Sequence, residues 1–210
     1  MRKPDATEVK ESRDAAYRRR ILSAAARLLE QNGIESVNMY QIAQEAGIGQ
    51  GTLYRRYEHP GEIYAEILQK GADEALNEME QEMKRIEERA EGAPSALEGL
   101  MLALRRTIDY IDDQAELLVT ISCMYGKKNL FPQKRPISIR LRGILNGYLK
   151  MAAAGGEVRD DVDVTLTTSF MLTTLYPEQY LYHRDTHGYD KDQYLSGIRR
   201  LFIEGIRAVR

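Results

Sequence analysis

The stretch Gln50-Gly51-Thr52-Leu53-Tyr54-Arg55-Arg56-Tyr57 gathers hydrogen-bond donors on one side of a short segment. An amide, a hydroxyl, a phenol and two guanidiniums are the groups that bond phosphate oxygens and base edges. Gly51 carries no side chain and lets another backbone come close. At about 100° per residue, Leu53 and Tyr57 fall together while Gly51 and Arg55 fall opposite. Thr52 and Tyr54 flank that outer face. A packed side backing a donor-rich side is what a helix needs to read a DNA major groove. Spacing alone leaves open an ordinary helical hairpin with a solvated basic face.

Other chemistry is sparse. His183 and His187 have the i,i+4 spacing of a metal-binding pair. They lie in HRDTHG with no third strong ligand, so a surface loop is the expected reading and no metal is assigned. There is no phosphate-cradling glycine loop, no Gly-x-Ser-x-Gly elbow and no Cys-x-x-Cys. The many carboxylates of residues 61–90 read as solvated charge. No catalytic residue and no cofactor is expected, so the chain does not read as an enzyme.

The donors need elements to position them. Residues 39–57 read as two short helices around a glycine turn, with Ile42, Ala43, Ala46, Ile48, Leu53 and Tyr57 as the seam between them. Asn38 is placed to cap the first helix, and Tyr40 joins the donor set from its first turn. Charge follows the same plan. Residues 1–57 carry a net charge of +3 and residues 58–91 a net of −7, within an overall −2. A basic end on a neutral to acidic body suits nucleic-acid binding confined to one end. The single Cys123 argues against a disulfide framework and fits a reducing cytoplasm, where it reads as a small buried apolar residue. Met1 to Asp14 have no apolar run, and nothing approaches the roughly 20 residues that span a bilayer. The expected location is therefore cytoplasmic, with no membrane partner.

Residues 18–68 resemble the N-terminal domain of the TetR family of bacterial transcriptional regulators. The resemblance rests on the amphipathic helix with Ala25, Leu28 and Leu29 that stops at Asn32-Gly33, and on Ile42-Ala43, Ala46-Gly47-Ile48, Gly51-Thr52-Leu53-Tyr54 and Tyr57. Two positions depart from the family pattern. Gly49-Gln50 stands where Ser-Lys is frequent, and Pro60 stands where a lysine is common. Arg55 and Arg56 are the cations that could compensate. The implied fold is all-α: a three-helix DNA-binding domain with a helix-turn-helix, followed by a larger helical body. The expected division is a polar, disordered tail over 1–13, the DNA-binding domain over 14–60, and an effector-binding and dimerisation domain over 61–210.

Downstream, apolar periodicity predicts helices over 61–90, 95–112, 115–127, 135–155, 163–182 and 190–208. Ser95 with Glu98 looks like a capping box, Phe131-Pro132 marks a loop, and Pro177 should kink or shorten its helix. The family pairs its last two helices with those of a second copy. This implies a homodimer with Phe170, Ile198, Leu201, Phe202 and Ile206 at its interface and Gly205 permitting close helix approach. It also implies a small-molecule effector in the body. Met101, Tyr110, Met124, Tyr125, Tyr148, Met171 and Tyr176 are the side chains suited to line its pocket, although an ordinary core uses the same residues. The expected function is a repressor on a palindromic operator in double-stranded DNA, released by an apolar or aromatic effector through a shift in residues 61–90. A regulator whose body binds a partner protein is the alternative, and a helical metalloprotein or enzyme a distant third.

Overall fold

The computed structural model describes residues 6–89, 92–125 and 136–208. Those residues form α1 (Ala6–Asn32), α2 (Met39–Glu45), α3 (Gln50–Tyr54), α4 (Pro60–Glu87) and α5 (Ala96–Asp113). The remainder forms α6 (Ala115–Tyr125), α7 (Pro136–Ala154), α8 (Val164–Thr174), α9 (Pro177–His187) and α10 (Lys191–Arg199), with a π-helical turn over Arg200–Glu204. Among the described residues, strand-type pairing is limited to one antiparallel bridge between Val158 and Arg207. The chain is all-α, as its periodicity predicts.

Two compact units emerge: residues 1–70 with 119–126, and residues 71–118 with 127–210. The first is built on an apolar seam in which Ile21, Ala24, Ile42, Leu53 and Ile63 are essentially solvent-free. Each such Ile or Leu contributes about 1.5–3 kcal/mol relative to its exposed state. Tyr64 is buried with them, and its hydroxyl donates to the Val37 carbonyl at 3.3 Å.

The second unit packs α5, α7, α8, α9 and α10 around Leu100, Leu104, Leu145, Tyr148, Met171 and Leu195. The Tyr148 ring fills the space beside Gly99, where a Cβ would lie 2.7 Å from Tyr148 Cε1. Its hydroxyl donates to the Met79 carbonyl at 3.1 Å. The start of α5 has the predicted Ser95–Glu98 capping box. Glu157 adds to it, accepting from the Ala96 and Leu97 amides at 3.0 and 3.1 Å.

Four expectations need correction. Residues 6–13, expected in a tail, have helical backbone and extend α1. The helix expected over 163–182 is two helices: α8 ends at Thr174, and Pro177 opens α9 at a position that needs no amide donor. The helix expected over 190–208 leaves α-helical geometry at Arg200, and the Gly205 amide reaches back five residues to the Arg200 carbonyl at 3.0 Å. His183 and His187, expected in a loop, stand on the last turns of α9, their ring centroids 5.5 Å apart. The Phe131-Pro132 loop lies outside the described residues.

Two cationic side chains tie the second unit's helices. Arg140 on α7 binds both Glu80 oxygens at 2.7 Å and Asn77 Oδ1 at 2.5 Å, on α4. Asp112 on α5 accepts from the Tyr180 hydroxyl at 2.7 Å and from Arg184 at 3.2 Å, both on α9. Burial disfavours the Asp112 carboxylate, but Tyr180, Arg184 and Lys191 together hold it below the usual range.

Arg140 likewise holds Glu80 below its ordinary pKa of 4.5. A depressed folded pKa gives stability that is present above the unfolded value and lost as pH falls through the folded one. Arg140→Gln should therefore lower the urea midpoint at pH 7, and the gap to the wild type should shrink as pH falls below 4.5. A gap that stays constant across that range would assign Arg140 a packing role only.

Candidate nucleic-acid interface

The turn between α2 and α3 is specified by local bonding. Gly47 sits in the left-handed region at φ 61°. Its amide bonds the Gln44 carbonyl at 2.9 Å and the Ile48 amide bonds the Ala43 carbonyl at 3.0 Å. That pair of bonds closes α2 with a Schellman motif, which glycine adopts without a Cβ penalty. At the other end of α2, Asn38 Oδ1 accepts from the Gln41 amide at 3.1 Å while Gln41 Oε1 accepts from the Asn38 amide at 2.9 Å. The predicted cap is present, and it engages the Asn38 side chain.

α3 begins at Gln50 after Gly49 and turns Leu53 fully inward. Gln50, Gly51 and Arg55 are exposed, Thr52 is half-buried, and a Cβ at Gly51 would meet nothing within 4 Å. Tyr54 is 51% exposed, and Tyr40 on α2 is 53% exposed, its hydroxyl accepting from Gln44 Nε2 at 2.7 Å. The predicted donor set therefore lies largely on the open side of α2 and α3, with the seam behind it.

Arg56 differs from the others. Its Nη1 donates to the Thr52 carbonyl at 3.0 Å, its Nη2 pairs with Asp14, and its guanidinium lies 5.0 Å from the Tyr17 ring centre. In the chain by itself, this guanidinium is engaged by Asp14 and Tyr17 of α1. Three supports of the site escaped the sequence reading. His59 Nδ1 accepts from the Gly61 amide at 3.1 Å and caps α4. Glu62 accepts from the Glu58 amide at 2.8 Å. Glu66 accepts from the Tyr57 hydroxyl at 2.8 Å and pairs with Arg18. Burial, reinforced by that carboxylate, pushes the Tyr57 hydroxyl well up from its ordinary value. The spacing of Tyr57 and Glu66 was visible, but histidine is not among the usual capping types.

The residues expected around an effector do not all lie alike. Tyr148 and Met171 are buried in the core, Met101 is buried at its edge, and Tyr110 packs on Gly71. Burial pushes the Tyr110 hydroxyl up to about 12. Tyr176 is half-buried against the core. The side chains of Met124, Tyr125 and Cys123 lie outside the described residues. The expected dimer residues divide. Phe170 and Leu201 are exposed at 55% and 67%, beside Leu166 at 51% on α8. Ile198 and Ile206 are instead buried in their own chain, and Phe202 packs on that core. At Gly205 a Cβ would lie 2.7 Å from the Leu201 carbonyl oxygen of the π turn.

Residues 21–67 match the family model described as bacterial regulatory proteins, tetR family. The fatty acid metabolism regulator protein of Bacillus subtilis (strain 168) is 23% identical over 189 residues, which cover 89% of this chain and 93% of that one. A TetR/AcrR-family transcriptional regulator from Thermobifida fusca has a similar fold, with a TM-score of 0.63 and 22% identity over 91% of this chain and 98% of its own. Thermus thermophilus FadR, a TetR-family repressor solved with lauroyl-CoA, gives a TM-score of 0.63 and 22% identity over 92% of this chain and 96% of its own.

A DNA duplex selected by the chain from a random-sequence pool supplies the test of the donor face. Arg55→Ala should weaken binding to it by about 1–3 kcal/mol and relax preference at one base pair. An equal fall on every sequence would make Arg55 a phosphate contact, and an unchanged affinity would remove it from the interface.

Proposed function

We propose that this chain is a DNA-binding transcriptional regulator of the TetR family and acts as a homodimeric repressor that an acyl-type effector releases from a palindromic operator. The observation that carries the reading is α3, with Leu53 wholly buried behind it and Gln50, Gly51, Tyr54 and Arg55 exposed in front. A helix exposing donors on one side supplies base contacts, while Tyr40 and Tyr54 supply hydroxyls for phosphates.

A palindrome is read by two copies related by a twofold axis. Leu166, Phe170 and Leu201 are large apolar side chains left in water by the single chain. We assign them to the contact between copies, with Ile198, Phe202 and Ile206 supporting it from behind. No helix among the described residues is long and apolar enough to cross a membrane, so that apolar surface is not a bilayer span.

The effector class rests on two supports. One is the named role of the Bacillus relative in fatty acid metabolism together with the lauroyl-CoA held by the Thermus protein. The other is an open groove of about 330 Å³ on the body, lined by Leu97, Met101, Leu102 and Ile203 with Arg105, Arg199, Arg207 and Glu98. Apolar side chains beside guanidiniums suit a hydrocarbon chain that carries a phosphate-rich head. α4 starts in the DNA-binding unit and continues into the body as one helix, which makes it the route by which effector and operator would influence each other.

Two outcomes are expected. Light scattering should give twice the 24.0 kDa chain mass, and Phe170→Glu with Leu201→Glu should give the monomer; a wild-type monomer that binds the selected duplex tightly would end the dimer reading. Saturating lauroyl- or palmitoyl-CoA should weaken duplex binding by about 5–150-fold, and the duplex should weaken acyl-CoA binding by the same factor. If acyl-CoAs of every chain length leave both melting and DNA affinity unchanged, the effector reading gives way to a body that binds a partner protein.

A further inference from the structure

We infer that Tyr17 on α1 is a positioning residue for DNA reading: its ring, within reach of both the Arg20 and Arg56 guanidiniums, ties the turn before α3 to the segment after it. The inference rests on the DNA-reading role assigned to α3 above. Arg20 Nη2 donates at 2.9 Å to the carbonyl of Gly47, in the turn between α2 and α3. The same guanidinium lies 6.0 Å from the centre of the Tyr17 ring. Arg56, immediately after α3, lies 5.0 Å from that centre. Arg56 also donates back to the Thr52 carbonyl at 3.0 Å and pairs with Asp14, one turn before Tyr17.

One α1 residue thus connects the turn that precedes α3 to the segment that follows its C-cap. Cations within about 6 Å of a tyrosine ring are attracted by its quadrupole. Two of them on one ring repel each other, and the arrangement is balanced by Asp14 on Arg56 and the Gly47 carbonyl on Arg20. Only 20% of the Arg56 side chain is exposed, so this cation is committed to the clamp and not to DNA.

Tyr17→Leu removes the ring and no charge, which separates positioning from phosphate contact. The test uses the full-length chain, the duplex it selects from a random pool, and a scrambled duplex of the same length. Tyr17→Leu should lower the ratio of selected to scrambled affinity roughly tenfold, with the slope of affinity against salt unchanged because no phosphate-binding cation is lost. Tyr17→Phe keeps the ring and should restore the ratio. Without DNA, the Leu53 and Tyr57 amides should exchange faster in Tyr17→Leu and not in Tyr17→Phe. Asp14→Ala, at an exposed position, should reproduce the loss if Tyr17→Leu fails to fold.

Tyr17→Leu with an unchanged ratio overturns the inference. So does a shallower salt slope, or a Tyr17→Phe variant as weak as Tyr17→Leu, since that would make the hydroxyl a DNA contact. If the wild type selects no duplex at all, the DNA-reading role fails, whereas the exchange rates still decide whether the clamp exists.

Discussion

A helix of five residues cannot hold its own direction. Isolated helices shorter than about 12–15 residues are marginal in water, because the cost of the first turn is recovered only over several more. α3 spans Gln50 to Tyr54, so its existence and its aim are both set by what holds its ends. The Gly47 turn fixes the entry through two backbone bonds, and buried Leu53 and Tyr57 anchor the inner side. α1 supplies the rest through Arg20, Tyr17 and Asp14. In the proposed DNA-reading role, the donors of Gln50, Tyr54 and Arg55 depend on these groups to keep them pointing one way. Reading a base edge demands positions held to within about 0.5 Å.

The same dependence explains why the start of α4 is so heavily bonded. Tyr57 leaves α3 and meets Glu66 one turn and a half into α4, and Glu66 also takes Arg18 from α1. His59 and Glu62 satisfy backbone amides at the bend between α3 and α4. One carboxylate on α4 therefore joins α1 to the loop that follows α3. Polar networks of this kind rigidify when every member is bonded. In the body the corresponding work is done by Arg140 across α4 and α7, and by Asp112 across α5 and α9. Each is a charge bridging two elements whose apolar faces could otherwise slide past one another.

The features readable in the sequence were those written in local pattern. The seam residues Ile42, Ala43 and Leu53 declare the two short helices by spacing, and Ser95 with Glu98 declares a helix start three residues apart. Pro177 announced a disturbance, but not that α8 would end and α9 begin with proline as its first residue. What stayed hidden was non-local. Asp14 and Arg56 are 42 positions apart, and no rule of spacing pairs them. Arg56 looked like Arg55 because both are cations at the end of a short helix; only the position of α1 separates an inward guanidinium from an outward one. Ile198 and Ile206 are buried within the single chain, and apolar spacing alone does not separate a monomer core from a dimer face, because both use the same residue types.

The packing of the body limits how an apolar ligand could act. Tyr148 is fully buried, bonded to the Met79 carbonyl, and seated where a Cβ on Gly99 would have to be. Met83 sulfur likewise stands 2.6 Å from where a Cβ on Gly147 would lie. A core filled to this degree has no room for a chain of many methylenes without moving side chains, because close-packed interiors yield by switching arrangement and not by gradual compression. A ligand that went deeper than the open groove beside Leu97 and Ile203 would have to select a different arrangement of α4, α5 and α7, the helices that carry Met79, Gly99 and Gly147. Its apparent affinity is then its intrinsic affinity multiplied by the population of that arrangement. α4 is common to the opened core and to the carboxylate that braces α3, since it carries both Met79 and Glu66.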